Sequence, residues 1–135
     1  MPTRRDARER ALGLAYECEL RATPAQALLA DLPVDPDPYA RELVLGVDQH
    51  RDEIDALISK YSEHWALERM PVLDRALLRI GTYELGWMPD TPTAVVITEA
   101  VELAKEYSTK DSGRFVNGLL ARIAEEVRPE STLPT

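Results

Sequence analysis

A chain of 135 residues with 44% hydrophobic and 30% charged residues has the size and composition of one compact folded domain. No apolar run approaches the roughly 18 residues of a membrane span, and no secretory signal follows the arginine-rich start, so we expect a cytoplasmic protein. The net charge of −8 argues against general nucleic-acid binding, which depends on neutralising phosphate with Lys and Arg.

The first predicted helix covers residues 4–21. Thr3 followed by Asp6 approximates a capping box, and apolar residues then recur at helical spacing. This start is basic in an otherwise acidic chain, so only a local surface is suited to phosphate. We call its four cations the arginine segment: Arg4, Arg5, Arg8 and Arg10.

Proline marks the starts of the later helices. Thr23, Asp37 and Thr91 each precede a proline, the pattern of an N-cap residue followed by proline at the first helical position. Apolar spacing then predicts a long helix at 38–61 and others at 71–85, 92–107 and 112–127. The result is an all-α fold of about seven helices in one domain, 1–135, with small packed bundles at about 1–62 and 63–128. We expect the tail, 128–135, to be disordered.

The start of the last predicted helix combines an aromatic ring, a cation and small polar residues. Phe115 can stack on an unpaired base there, while Arg114 and the free N–H groups of the helix end attract phosphate. The alternatives are a core position for Phe115 and a plain N-cap role for Asp111. Gly118 predicts a close helix crossing, because glycine inside a helix costs about 1 kcal/mol relative to alanine.

Four segments, in their order and spacing, resemble the NusB family of bacterial transcription antitermination factors: 67–80, 83–85, 96–105 and 110–120. The resemblance is strong over 65–123 and traceable over 4–61. It implies an RNA-binding adaptor that binds the boxA element of nascent ribosomal RNA leaders and pairs with the small-subunit ribosomal protein that acts as NusE. As part of the antitermination complex, it would help RNA polymerase pass terminators.

The resemblance and the residue types together give two sets of expected site residues. In the family, the residue that matches Phe115 contacts RNA, and Asp111 matches an acidic position beside it. Cations and aromatic rings on one face are what single-stranded RNA recognition uses. The expected RNA-binding residues are Arg4, Arg5, Arg8, Tyr16, Asp111, Arg114 and Phe115. The expected NusE-binding residues, at the junction of the bundles, are Tyr61, Glu68, Asp74 and Arg75.

Other functions are less well supported. One cysteine and two histidines are too few soft ligands for a structural zinc site, and the sequence has no glycine-rich phosphate loop or nucleophile elbow. We therefore expect no metal, no cofactor and no catalytic activity. One alternative keeps the fold as a protein-interaction module without RNA binding. A link to RNA methyltransferases is weak, because no length remains for that domain, and a homodimer is an open possibility.

Overall fold

The computed structural model describes residues 3–63 and 65–129, which form seven α-helices, one short 3₁₀ helix and no strand. This confirms the predicted all-α fold. No helix in these two ranges is long and apolar enough to cross a membrane. The helices are α1 (Arg4–Arg21), α2 (Ala25–Asp31), α3 (Pro38–Gln49), α4 (Arg51–Tyr61), α5 (Val72–Trp87), α6 (Thr93–Tyr107) and α7 (Ser112–Val127), with the 3₁₀ helix at Leu67–Arg69.

Side chains cap the N-termini of the first helices of the chain. The predicted capping box of α1 is present: the Asp6 N–H donates to the Thr3 hydroxyl, and the Thr3 N–H donates to the Asp6 carboxylate, both at 3.0 Å. In α2 the cap differs from the prediction. The Thr23 hydroxyl donates backwards to a carbonyl of α1, and the Ala25 N–H donates to Asp48 of α3 at 2.7 Å. A tertiary contact therefore replaces the local cap.

The single helix predicted at 38–61 is wrong, because α3 and α4 meet at a break. His50 lies between them with φ −112° and ψ 23°, and its ring stacks on Trp87 with the centroids 4.6 Å apart. The buried residues Val47 and Ile54 are seven positions apart and so keep helical spacing across the break. Hydrophobic periodicity alone therefore does not reveal it.

The central helix is α5, with eleven of its sixteen residues buried. It packs against α1, α3 and α4 and also against α6 and α7. Close packing uses glycine: a Cβ at Gly81 would lie 2.8 Å from Leu120. Because α5 contacts helices of both predicted bundles, they share one hydrophobic core. The boundary between the bundles stays a prediction.

Gly46 of α3 gives a stability prediction. A Cβ at this position would lie 2.1 Å from the ring of Tyr83, which is itself buried. We expect Gly46→Ala to lower the free energy of unfolding by about 1–3 kcal/mol, the usual cost of overpacking a core. Gly13→Ala in α1 is the control, because a Cβ there meets no atom within 4 Å. Urea denaturation that finds both variants equally stable would contradict the prediction.

Arg128 corrects the predicted disordered tail. This residue follows α7, and its guanidinium fastens the end of α5 and the loop between α5 and α6. Burial lowers the pKa of Arg128. Residues 130–135 of that prediction lie outside the described ranges. The guanidinium donates to the carbonyls of Glu84 (3.0 Å), Leu85 (2.9 Å), Met88 (2.8 Å) and Thr91 (2.6 Å) and to the hydroxyl of Thr93 (3.1 Å).

Candidate nucleic-acid and partner interface

Two members of the arginine segment belong to an ion-pair network with carboxylates of α5 and α6. Arg5 donates through Nε and Nη2 to the two carboxylate oxygens of Glu99, at 3.1 and 2.6 Å. Arg8 donates through the same two nitrogens to Glu84, at 2.9 and 3.1 Å, and its third nitrogen lies 3.8 Å from Glu99. Two cations thus face two anions, and the network has no net charge.

The network is buried at one end and open at the other. The side chains of Arg8 and Glu84 are 5% and 1% exposed, whereas that of Arg5 is 59% exposed. Burial lowers the pKa of Arg8, but the hydrogen bond and charge of Glu84 more than offset this and raise it. The hydrogen bond from Arg5 holds the pKa of Glu99 below its ordinary value despite partial burial. The Glu99 carboxylate therefore favours the charged, paired state.

Burial of Arg8 corrects its expected surface position. While its pair with Glu84 stands, the Arg8 guanidinium does not reach an RNA strand. Tyr16, in the same helix, is exposed, whereas Arg8 is buried. Two polar side chains of neighbouring helices lie apart from this network. Arg79 bonds to Asp55 of α4, and Asn117 is exposed.

Arg4 lies over the ring of Tyr39, which was not among the site residues expected from the sequence. Its guanidinium carbon is 4.0 Å from the centroid of the Tyr39 ring, a cation–π contact. A cavity of 590 Å³ opens beside this pair and is also lined by Trp87. Glu42 and Asp90 add negative charge to the lining. In the sequence, Tyr39 is distinguished only by its place at the start of α3, directly after Pro38.

The start of α7 forms one wall of a groove against the end of α4. Phe115 is half-buried, and its ring meets that of Trp65 edge-on, with centroids 5.2 Å apart. Asp111 occupies the N-cap position, but its side chain makes no cap hydrogen bond. We call this 580 Å³ space the α4–α7 groove; its lining includes Tyr61, Trp65, Arg114, Phe115, Gly118 and Arg122.

Asp74 was expected to contact a partner, but its side chain lies inside the protein. Only 1% of Asp74 is exposed. Its carboxylate accepts hydrogen bonds from the hydroxyls of Ser112, at 2.9 Å, and Ser108. The Ser112 oxygen also accepts from the N–H of Thr109 at 3.1 Å. Asp74 therefore fixes the turn between α6 and α7 and has no surface for direct contact in this conformation.

Arg75 is also buried, and it holds the 3₁₀ helix in place through hydrogen bonds to its backbone. Its guanidinium donates to the carbonyls of Leu67 and Met70, at 3.0 and 3.1 Å, and to the carboxylate of Glu19 in α1. Arg75 is itself buried, but these bonds hold the segment that presents the exposed side chain of Glu68. Of the four expected partner-binding residues, Glu68 and the half-buried Tyr61 remain accessible.

Tyr61 is held at the edge of the α4–α7 groove. Its hydroxyl donates to the carboxylate of Glu126, which also accepts from Lys60. The guanidinium carbon of Arg122 lies 5.2 Å from the centroid of the Tyr61 ring. The hydrogen bond to Glu126 raises the pKa of Tyr61. These contacts hold the Tyr61 ring between the residues expected to bind RNA and those expected to bind NusE.

Comparison with known proteins gives consistent matches over most of the chain. The model of the NusB family matches residues 5–125. The transcription antitermination protein NusB of Streptomyces griseus is 48% identical, over 93% of this chain and 94% of that protein. The protein of the same name from Kineococcus radiotolerans is 49% identical, over 93% and 95%.

Solved structures give the same picture. A structure of T. maritima NusB has a TM-score of 0.85 at 40% identity, covering 97% of this chain and 98% of that one. A crystal structure of the antitermination factors NusB and NusE in complex with dsRNA has a TM-score of 0.77 at 28% identity, covering 91% and 96%. The fold is therefore shared along nearly the whole chain.

Proposed function

This chain belongs to the NusB family, and from that premise we propose that it is a non-catalytic transcription antitermination factor. It binds boxA RNA of nascent ribosomal RNA leaders, pairs with the NusE ribosomal protein and promotes read-through by RNA polymerase. The observation that carries the proposal is the near full-length similarity to relatives that bear that name. We expect it to act in the cytoplasm, where RNA polymerase meets nascent transcripts.

We assign RNA contact to the exposed members of the expected set, among them Arg4, Arg5 and Arg114. Arg5 is open to solvent beside Glu99, and Arg4 lies on the Tyr39 ring, so both guanidiniums are at the surface. Phosphate contacts from these cations position a strand, and aromatic rings add stacking. Arg8 is not assigned an RNA contact, because it is buried against Glu84 and lies beside Glu99.

We assign NusE docking to the surface at Glu68 and Tyr61, with Asp74 and Arg75 as supports beneath it. The chain carries 24 acidic against 16 basic residues, and a basic ribosomal protein complements that charge. Charge complementarity speeds encounter and sets register more than it adds affinity. RNA binding by the acidic chain alone is consequently weak, and we expect the basic partner to strengthen it.

The ion pair between Arg5 and Glu99 should restrain RNA binding. A phosphate that bonds Arg5 competes with the Glu99 carboxylate, so Glu99→Gln should raise affinity for boxA RNA by roughly two- to five-fold, a size typical of exposed ion pairs. Glu102→Gln is the matched control, because it removes the same charge from the same helix without a hydrogen bond to Arg5. Equal gains in both variants, measured by fluorescence anisotropy, would assign the effect to net charge alone.

The proposed function itself is tested by anisotropy of labelled boxA RNA titrated with this protein, with and without purified NusE, at low and moderate salt. Selective binding that strengthens with NusE and weakens with salt supports it. Neutralisation of Arg5 and Arg8 by Glu84 and Glu99 favours one rival, a protein-interaction module. For that rival, the two proteins associate while RNA does not bind. Light scattering over a range of concentrations tests whether this chain forms a homodimer.

A further inference from the structure

Gly118 of α7 has no packing reason to be glycine. The sequence predicts a close helix crossing there, but a Cβ at Gly118 would meet no atom within 4 Å, so that prediction is wrong. Gly113, in the same helix, is different: a Cβ there would lie 3.0 Å from Lys105. Glycine in a helix is less stable than alanine, so an exposed one with free space calls for another explanation. The free space beside Gly118 belongs to the α4–α7 groove.

Two aromatic rings line this groove, that of Trp65 between α4 and the 3₁₀ helix and that of Phe115 in α7. Trp65 is 39% exposed, which is unusual for so large an apolar ring. Its ring and that of Phe115 meet at 64°, an edge-to-face arrangement. In such a pair the ring that offers its edge keeps both faces free of that contact. Aromatic faces at the surface are platforms on which nucleobases stack, whatever their sequence.

The cations of the groove suit a phosphate. Arg114 is exposed, and its side chain makes no ion pair or hydrogen bond with any residue in the described ranges. Arg122 donates to the carbonyl of Tyr61 at 3.0 Å and to Glu63 at 2.8 Å. A chain with a net charge of −8 thus leaves an uncompensated guanidinium beside an apolar groove. An anionic ligand with a flat apolar part matches this combination, whereas an apolar protein side chain leaves Arg114 unused.

We propose that the α4–α7 groove is a slot for one base of single-stranded RNA. The base lies over Gly118, where no side chain intervenes, and contacts the rings of Trp65 and Phe115. The adjoining phosphate bonds to Arg114. This inference rests on the proposed function and adds Gly118 and Trp65 to the expected RNA-binding residues. It also explains the glycine, because any side chain at Gly118 would project into the slot.

The decisive variant is Gly118→Ala, for which stability and binding should change in opposite directions. The thermal midpoint rises by about 2–4 °C, because alanine favours an exposed helix. Affinity for boxA RNA in the presence of NusE falls about ten-fold, because the methyl group lifts the base from its stacking position. Gly86→Ala is the matched control: Gly86 is also exposed in a helix with no atom within 4 Å of a Cβ, but it does not line the groove.

Tryptophan fluorescence gives a direct readout of the slot. The chain has two tryptophans, so Trp87→Phe leaves Trp65 as the single indole. The affinity of this variant for boxA RNA is first measured by anisotropy in the presence of NusE. Unlabelled boxA RNA is then titrated into the variant with NusE, and the emission of Trp65 should be quenched with the same midpoint. Emission that stays unchanged while RNA binds would overturn the slot.

The outcomes separate the slot from the proposed function. If the unaltered protein binds boxA RNA but Gly118→Ala binds as tightly as Gly86→Ala, the slot is wrong and the antitermination proposal stands. If the unaltered protein with NusE binds no boxA RNA, both are wrong. A loss of affinity confined to Gly118→Ala, together with quenching of Trp65, supports the slot.

Discussion

Glu84→Ala should lower the free energy of unfolding by about 3–5 kcal/mol, because it leaves the Arg8 guanidinium buried without its main partner. Glu84 is 1% exposed and accepts three hydrogen bonds from Arg8. Glu99 remains 3.8 Å from Arg8 but also serves Arg5, so it compensates only in part. A loss of this size lowers the thermal midpoint by roughly 10–18 °C, measurable by circular dichroism.

Two controls define the origin of this loss. Glu125→Ala removes an exposed carboxylate of α7 and should change stability by no more than about 0.5 kcal/mol. The double variant Arg8→Met with Glu84→Leu should recover much of the stability, because apolar residues replace a buried ion pair well. A loss for Glu84→Ala no larger than that for Glu125→Ala would mean that water reaches Arg8, against its observed burial.

Arg128→Ala should cost about 2–4 kcal/mol, because it removes five hydrogen bonds from one charged group, four of them to backbone carbonyls. The effect should be local as well as global. Limited proteolysis should cut the loop at residues 88–92 faster than in the unaltered protein, since Arg128 is what fastens it.

Arg128→Lys distinguishes charge from geometry. An ammonium keeps the charge but has no planar fork, so it satisfies fewer of the carbonyls. We expect this variant to lose more than half of the stability lost by Arg128→Ala. Full stability with lysine would show that the positive charge, rather than the set of fixed hydrogen bonds, holds the loop.

Much of the fold follows from local rules in the sequence. The capping box at Thr3 and the proline after Asp37 set helix starts that the structure contains. Apolar spacing identified the buried faces. The break at His50 was missed because apolar spacing continues across it, and Arg128 was missed because its partners are backbone carbonyls of a distant segment. Neither feature has a signature within a short window of sequence.

The site was less predictable, because pairing between helices decides which charged side chains reach solvent. Arg5 and Arg8 look alike in the sequence, yet one is open and the other is enclosed by α5. Asp74 likewise looks like a surface carboxylate until Ser112 is placed against it. The family resemblance indicated which segments to consider, whereas the exposure of each side chain depended on three-dimensional packing.

The internal ion pairs join residues that are far apart along the chain. Arg8 and Glu84 are separated by 76 positions, and Glu19 and Arg75 by 56. Closing such long loops precedes the gain from the contact, so we expect these pairs to form after the rate-limiting step of folding. Variants that break them should then unfold faster in stopped-flow experiments and refold at nearly the same rate. The buried pairs accordingly prolong the lifetime of the folded state without accelerating its formation.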